Sequence, residues 1–518
     1  MSETRTPILE NEIQDHIDAV EVKSNSAYVL IRKIFDIVIS ALLLVILAVP
    51  TAILGVVPNR KLHKAKTNIL HRLMDALKGK RSIFGQNIEN KENCTENGEE
   101  AKKTGLKILV VCQHYWPEPY RLPDLCEKLV KRGHEVWVIT DVPNYPTGKI
   151  YPGYERRQNR EEVHNGVHII RTFTIERRNN LFFRFLNYYS FAISSKIRAK
   201  RMPPDFDVVL AYQSSPVMMA SGATAYAKKF GKKVVLYCLD LWPASLCVGG
   251  IKPKSFVYNV FGKISKRIYR QADKILVSSR GFEKYLTTYF GICESRICYL
   301  PQYADKQYLK SFNKEQDKCF NLVFAGNVGT AQNMTEIMDA AGILSNKHDI
   351  IWHIVGDGSQ LEKCKEYAAK RELYNVVFHG YKSGEELDAC YKMADAMLIS
   401  LIDDPIISLT LPLKLLTYLA AGKPIIASAS GEIAKIISEA DCGYTVPPGG
   451  AEKLAEAVLA MANNANLTRF GENARNYYYS NFSEENYLDK IEYTLKQFGG
   501  IEYAEDESTY DKRSLRHS

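Results

Sequence analysis

The sequence predicts an α/β protein of two doubly wound domains in tandem, facing a cleft and preceded by a membrane-associated segment. Three observations carry this. Beyond Leu106, short apolar runs bounded by turn residues alternate with helical stretches, the pattern of buried parallel strands joined by crossover helices. The series stops near 311 and restarts at Asn321. One long apolar run, IFDIVISALLLVILAVPTAILGVV from Ile34 to Val57, stands ahead of both series. The length, 518 residues, exceeds one ordinary domain and suits two or three.

Residues 1–26 are polar and acidic, without the basic-then-apolar order of a cleaved signal peptide, and are expected to be a loose tail. The run 34–57 just suffices to span a bilayer at roughly 1.5 Å per residue. Arg32 and Lys33 precede it, and Arg60, Lys61, Lys64 and Lys66 follow. Positive charge prefers the cytoplasmic side, and Pro50 favours a bend. A re-entrant hairpin with both ends in the cytoplasm satisfies both facts; a straight span is the alternative. Residues 27–85 are thus read as a membrane-anchoring module and the polar stretch 86–105 as a linker.

The first domain is expected over 106–311. KILVVCQ (107–113) is its first strand, and the helix LPDLCEKLVKRG ends at Gly133, a good helix stop. HEVWVIT, GVHIIRTF and strands at 207–212, 233–237 and 274–278 follow, with helices at 216–230 and 257–271. The segment 312–320 reads as a hinge. In the second domain, 321–498, the strands are NLVFAG, IIWHIVGDG, VVFHG, AMLIS and KPIIAS, with helices at 335–345, 360–371, 385–393 and 413–421. A last helix around 484–498 is in a position to cross back to the first domain. Residues 499–518 form a charged tail.

Composition narrows the function classes. Hydrophobic residues make up 46% and charged residues 25%, as in an ordinary globular protein. The net charge of +9 is spread along the chain. It reads either as a solvated basic surface or as attraction to an anionic membrane face or phosphate-bearing substrates. No concentrated basic face with interleaved aromatics marks a nucleic-acid binder. Eleven scattered Cys without a CxxC pair argue for reduced thiols and against a disulfide framework or a zinc site. No bound metal and no cofactor are expected.

Facing α/β domains bind ligands at the carboxyl ends of their strands, where helix N-termini offer free N–H groups. Three glycine turns of the second domain belong there: Gly326-Asn327-Val328-Gly329, Gly356-Asp357-Gly358 and Gly380. Pro412 opens a helix where its missing N–H costs nothing, and Lys414 lies in its first turn, suited to a diphosphate. No GxGxxG follows the first strand, where Gln113-His-Tyr-Trp-Pro stands instead, which argues against a dinucleotide oxidoreductase.

PLKLLTYLAAGKPIIAS resembles the nucleotide-binding helix of glycosyltransferase family 4. FAGNVGTAQNM (324–334) resembles that family's phosphate loop, and GEIAKIISEADCGYTVPPGGAEKLAEAV (431–458) its next stretch. In the first domain, YWPEPYRLPDLCEKLVKRGHEVWVIT, PNYPTGKIYPGY (143–154) and DLWPASL (240–246) are similar to enzymes of capsule, exopolysaccharide and O-antigen assembly, those of N-acetylfucosamine type above all. The resemblance covers roughly 106–498. It implies a GT-B fold of two Rossmann-like domains. It also implies a retaining transferase that moves a sugar from a nucleotide donor, a UDP-sugar above all, to a polyprenyl-diphosphate-linked saccharide by front-face substitution. Gly326, Asn327, Gly329, Gln332, Gly356, Gly358, Pro412, Lys414 and Thr417 are implied on the nucleotide-sugar side, with Thr417 near the ribose. Asp240 and Lys414 are the implied catalytic pair, and Trp116, Arg121 and Trp242 the acceptor-side residues.

Departures from the family pattern matter. Its Glu-x(7)-Glu pair reads Leu409 and Thr417 here, its phosphate-loop Arg and Lys read Asn327 and Gln332, and the His before the first-domain Asp reads Leu239. They motivate an alternative: a membrane-tethered pseudo-transferase that binds nucleotide and scaffolds polysaccharide machinery. Ahead of the two domains, YVLIRKIFDIVISALLLVILAVP (28–50) resembles the membrane hairpin of polyprenyl-phosphate sugar-phosphate transferases, without that family's catalytic Asp-Glu pair. It is read as a remnant anchor holding the protein at the cytoplasmic face of the membrane.

Overall fold

The computed structural model describes residues 105–500, apart from 156–157, 179–180, 249 and 313–317. The expected N-terminal tail, the apolar run Ile34–Val57, the linker up to 104 and the tail from 501 lie outside the described residues. Among the described residues no helix is long and apolar enough to cross a membrane.

Two sheets form the scaffold. The first contains β1 (Lys107–Val111), β2 (Glu135–Thr140), β3 (Glu161–His164), β4 (Val167–Arg171), β5 (Val208–Gln213), β6 (Lys233–Cys238), β7 (Lys274–Val277) and β8 (Ile297–Tyr299), in the order 3-4-2-1-5-6-7-8. The second contains β9 (Phe320–Ala325), β10 (Ile350–Val355), β11 (Val376–Gly380), β12 (Ala396–Ser400), β13 (Ile425–Ser428) and β14 (Gly443–Val446), in the order 11-10-9-12-13-14. Every pairing is parallel except β3 with β4. Helices cover both faces, so central strands are buried throughout; all six residues of β5 are shielded.

Three strands escaped the sequence pattern: β3, β8 and β14. Each lies at a sheet edge and reads EEVH, ICY or GYTV, too short or too polar to register as an apolar run. The β3–β4 hairpin had a local signal in Asn165-Gly166, whose positive φ values of 48° and 81° suit a two-residue turn.

The last helix, Glu484–Gly499, follows the second domain in sequence but packs on the first. Tyr487, Leu488, Ile491 and Leu495 join one core with β1, β2, β4 and β5. This is the crossing back to the first domain that the sequence position of the helix allowed. Around its polar side, Glu492 accepts from Arg132 at 2.6 Å, Lys496 at 2.6 Å and the His134 ring at 3.1 Å. Burial alone would raise the Glu492 carboxyl, but Lys496, Arg132 and His134 outweigh it and hold it at about 2. Its folded value lies below the unfolded one, so the stabilisation is present above about pH 4.5 and is lost as pH falls toward 2. Glu492→Gln is expected to cost about 1–2 kcal/mol at pH 7. In thermal melts the gap from the parent protein should close as the pH approaches 2.

Candidate functional site

The carboxyl ends of both sheets face one cleft. The loop after β6, residues 239–248, approaches the loop after β12. Asp404 is near enough to Cys247 that its charge adds to burial in raising the thiol to about 11. At the seam, Ser279 donates from its hydroxyl to the Leu409 carbonyl and at 3.3 Å to Glu432, which also accepts from the Gly281 N–H at 3.2 Å. A Cβ on Gly281 would stand 2.7 Å from the Leu409 oxygen, so the domains touch there backbone to backbone.

On the second-domain side, the glycine turns interlock. The Gly326 N–H donates to the Val355 carbonyl, Val328 to Asp357 and Gly356 to Gly380. A Cβ on Gly356 would lie 1.8 Å from the Gly326 oxygen, and one on Gly358 2.5 Å from the Val328 oxygen. Their φ values, +139° and +157°, reinforce the demand for glycine. Behind this rim the helix Leu413–Ala421 begins after Pro412, which sits at φ −74°, ψ 141° with no capping side chain. Lys414 is the second residue of that helix and so stands at its N-terminus.

Lys414 is the centre of this arrangement. Its Nζ donates to the Gln332 side chain and lies 4.3 Å over the Phe324 ring, and it passes 3.5 Å beneath the position of a Cβ on Gly326. No carboxylate pairs with it among the described residues, and burial alone brings its ammonium down to about 7. A half-buried amine without a carboxylate partner among the described residues, at a helix N-terminus and a glycine rim, has the chemistry to receive an anion. Gly326, Asn327, Gly329, Gln332, Gly356, Gly358, Pro412 and Lys414 thus gather around the carboxyl ends of β9 and β10.

Thr417 does not join them. Only 7% exposed, it donates to the Lys414 carbonyl at 2.9 Å and meets the Tyr391 hydroxyl at 3.4 Å. Its hydroxyl bonds back along its own helix, to the carbonyl three residues earlier.

In the first domain Asp240 follows β6, half-buried. It accepts from the Trp242 indole at 3.0 Å and from the Ser245 hydroxyl. Burial raises its carboxyl above the usual range despite these two donors. Trp242 is 6% exposed and packs edge-on against Phe261, so it positions Asp240 rather than offering a face to an acceptor. Arg121 pairs with Asp305 at 2.7 Å and donates to the Tyr303 carbonyl, which commits it to the segment after β8. Trp116 stacks on His164 at 4.0 Å, over the sheet's outer edge. Each of these three side chains thus has a partner within the first domain, and Trp116 stays 38% exposed.

A polar network at the ends of β1 and β2 went unread. Glu118 accepts from the His114 ring at 2.8 Å and from the N–H groups of Asn144 and Tyr145 at 2.6 and 2.7 Å. Asp141 receives the Asn144 amide at 3.3 Å; burial and the Glu118 charge push its carboxyl well up. His114, Glu118 and Asp141 are all buried, within 4.8 Å of one another, and tie the loop 143–146 to β1. The four-residue spacing of His114 and Glu118 was the available signal. A larger hollow of about 740 Å³ lies at the amino ends of β10 and β11, among Asp339, His348, Arg371 and Tyr374, away from this chemistry.

Known proteins agree with this geometry. Residues 121–307 match the model described as Glycosyltransferase Family 4 and residues 305–477 that described as Glycosyl transferases group 1. The probable glycosyltransferase WbjE of Pseudomonas aeruginosa is 25% identical over 58% of this chain and 76% of its own. The putative colanic acid biosynthesis glycosyl transferase WcaI of Escherichia coli is 25% identical over 62% and 83%. Anabaena HepE, solved in complex with UDP and glucose, superposes with a TM-score of 0.55 at 13% identity, over 76% of this chain and 99% of its own. The described residues therefore carry a GT-B-like α/β fold, with a segment similar to glycosyltransferase family 4 followed by one similar to glycosyl transferases group 1.

Proposed function

We propose that the protein is a retaining transferase that moves a hexosyl or N-acetylhexosaminyl group from a nucleotide-sugar, a UDP-sugar first, to a polyprenyl-diphosphate-linked saccharide during cell-surface polysaccharide synthesis. The observation that carries this reading is Lys414, a half-buried amine with no carboxylate partner among the described residues, set at a glycine rim and a helix N-terminus. HepE, of the same fold, was solved with UDP and glucose, and WcaI bears a colanic acid assignment. In the reaction, the bond from the anomeric carbon to the diphosphate oxygen breaks as the acceptor oxygen bonds on the same face. The acceptor proton passes to the departing diphosphate. Lys414 and the helix N–H groups stabilise the charge that collects there. Asp240 orients the acceptor or the sugar. The run Ile34–Val57 is placed as the anchor at the cytoplasmic face of the membrane, on its sequence alone.

The test uses the detergent-purified full chain, a panel of UDP- and GDP-sugars, and a polyprenyl-diphosphate-sugar acceptor. A lipid heavier by one sugar, with free nucleotide released, is expected; no product from any donor overturns the reading. The absence of carboxylates at Leu409 and Thr417 favours the pseudo-transferase as the second reading, and UDP binding without transfer would select it. Gly358→Ala should weaken UDP binding by roughly tenfold, since strain of about 1–3 kcal/mol forces the two glycine loops apart. Calorimetry with UDP measures it.

A further inference from the structure

A buried group of oxygens at the carboxyl ends of β1 and β2 has no part in the transfer reaction. The Asp141 carboxylate is 1% exposed, and its Oδ1 accepts no hydrogen bond among the described residues. Its other oxygen accepts from the Gln113 amide at 3.5 Å and from the Asn144 amide at 3.3 Å. Those two side chains are themselves buried, and each holds a carbonyl oxygen, Gln113 Oε1 and Asn144 Oδ1, that likewise meets no donor among the described residues. His114 and Glu118, joined at 2.8 Å, complete the group. One nitrogen or carboxylate oxygen from each of His114, Glu118 and Asp141 lies within 4.8 Å of the other two.

The group lacks both donors and positive charge. Burying an acceptor without its donor is costly, and burying a carboxylate without its counter-charge is more so. Neither Glu118 nor Asp141 forms an ion pair with a Lys or Arg among the described residues. Arg171, at the end of β4, donates to the backbone carbonyls of Asp141 at 3.4 Å and Trp116 at 2.7 Å and pairs with Glu162, where its charge is matched. A water molecule brings two O–H donors for three oxygens, and no charge. A divalent cation supplies what is missing on both counts, since it takes several oxygens at once and offsets two carboxylates. One imidazole, two carboxylates and two amide carbonyls form a mixed nitrogen and oxygen set. Imidazole suits zinc and its neighbours, and carboxylate and carbonyl oxygens suit manganese.

We propose that Gln113, His114, Glu118, Asp141 and Asn144 form a site for one divalent transition-metal ion, Mn2+ or Zn2+. The residues come from two loops, 113–118 after β1 and 141–144 after β2. The ion ties these loops together at the cleft end of the first domain. Much of the frame stands without it, for Glu118 accepts from the N–H groups of Asn144 and Tyr145 at 2.6 and 2.7 Å. The ion's role is positional. Lys414 and the glycine rim belong to the second domain, and the proposed front-face substitution has no step through this site. Binding is therefore independent of nucleotide and of turnover.

The test uses the full-length, detergent-purified protein, stripped with a chelator and dialysed against Mn2+, Zn2+ or Mg2+, with bound metal counted by plasma mass spectrometry. About one Mn2+ or Zn2+ per chain is expected, with a melting temperature that rises with metal concentration. Asp141→Asn and Glu118→Gln should each weaken retention by roughly a hundredfold. Both keep the side chain's shape while removing a buried charge, and circular dichroism checks that each variant is folded. Bound Mn2+ should show nitrogen hyperfine coupling that disappears in His114→Gln. His379→Gln is the control, because His353 and His379 meet at 2.9 Å in the second domain and offer zinc another place; it should leave retention unchanged. No metal on the parent protein, a preference for Mg2+, or retention that survives both Asp141→Asn and Glu118→Gln overturns the proposal. If it fails while sugar transfer persists, only the metal site is lost.

Discussion

Replacing Lys414 by Met should lower kcat/KM by about a hundredfold to a thousandfold while making the nucleotide-free protein more stable. The two effects share one cause. Burial holds the Lys414 ammonium down at about 7, below its value in the unfolded chain. Between pH 7 and about 10 the unfolded chain therefore binds more protons, and stability of the free protein rises with pH across that window. Met fills the same space with no charge to desolvate, so the variant should gain about 1–3 kcal/mol at pH 7 in denaturant titrations. The loss in rate follows because the leaving diphosphate no longer meets a preorganised cation. Donor binding by the parent protein should draw a proton onto Lys414 and weaken as pH rises above 7, measurable by calorimetry in buffers of different ionisation enthalpy. A variant that binds UDP as well as the parent would remove Lys414 from the site.

Asp240→Asn should reduce kcat by about a hundredfold or more with UDP affinity unchanged, because Asp240 belongs to the first domain and the diphosphate receptor to the second. Burial raises the Asp240 carboxyl, and the Ser245 and Trp242 donors pull it part of the way back. The acid limb of the pH–rate profile should accordingly lie above the ordinary carboxylate range. Trp242→Phe removes a donor to the ionised form and should move that limb to higher pH. A variant with lower kcat but an unmoved acid limb would reduce Trp242 to packing.

The central strands were legible because a parallel sheet covered on both faces writes itself as unbroken apolar runs: KILVV, VVLAYQ and NLVFA needed no context. Edge strands such as Glu161–His164 were not, since pairing on one side leaves room for polar side chains. The second-domain rim was legible for a similar reason. Glycines packed backbone to backbone leave a fixed spacing, and Lys414 follows its Pro by two residues. In the first domain the directions of side chains were not legible, because sequence position does not determine them. Arg121 and Trp116 stand in loops at the correct end of β1, yet one turns to Asp305 and the other to His164. Thr417 was placed by spacing to a family glutamate, but a threonine hydroxyl is short enough to bond its own helix, and does so.

The backbone crosses between the domains twice, once after β8 and again between the helices Leu467–Asn481 and Glu484–Gly499. The first crossing meets the last turn of the helix that leads into the second, for the Ala304 N–H donates to the Tyr478 hydroxyl at 3.0 Å. Two adjacent tethers act like the pins of a door. They permit swing about the line joining them and resist twist or slide across it. Any opening of the cleft would thereby follow a single arc, and closure would return Lys414 and Asp240 to the same register.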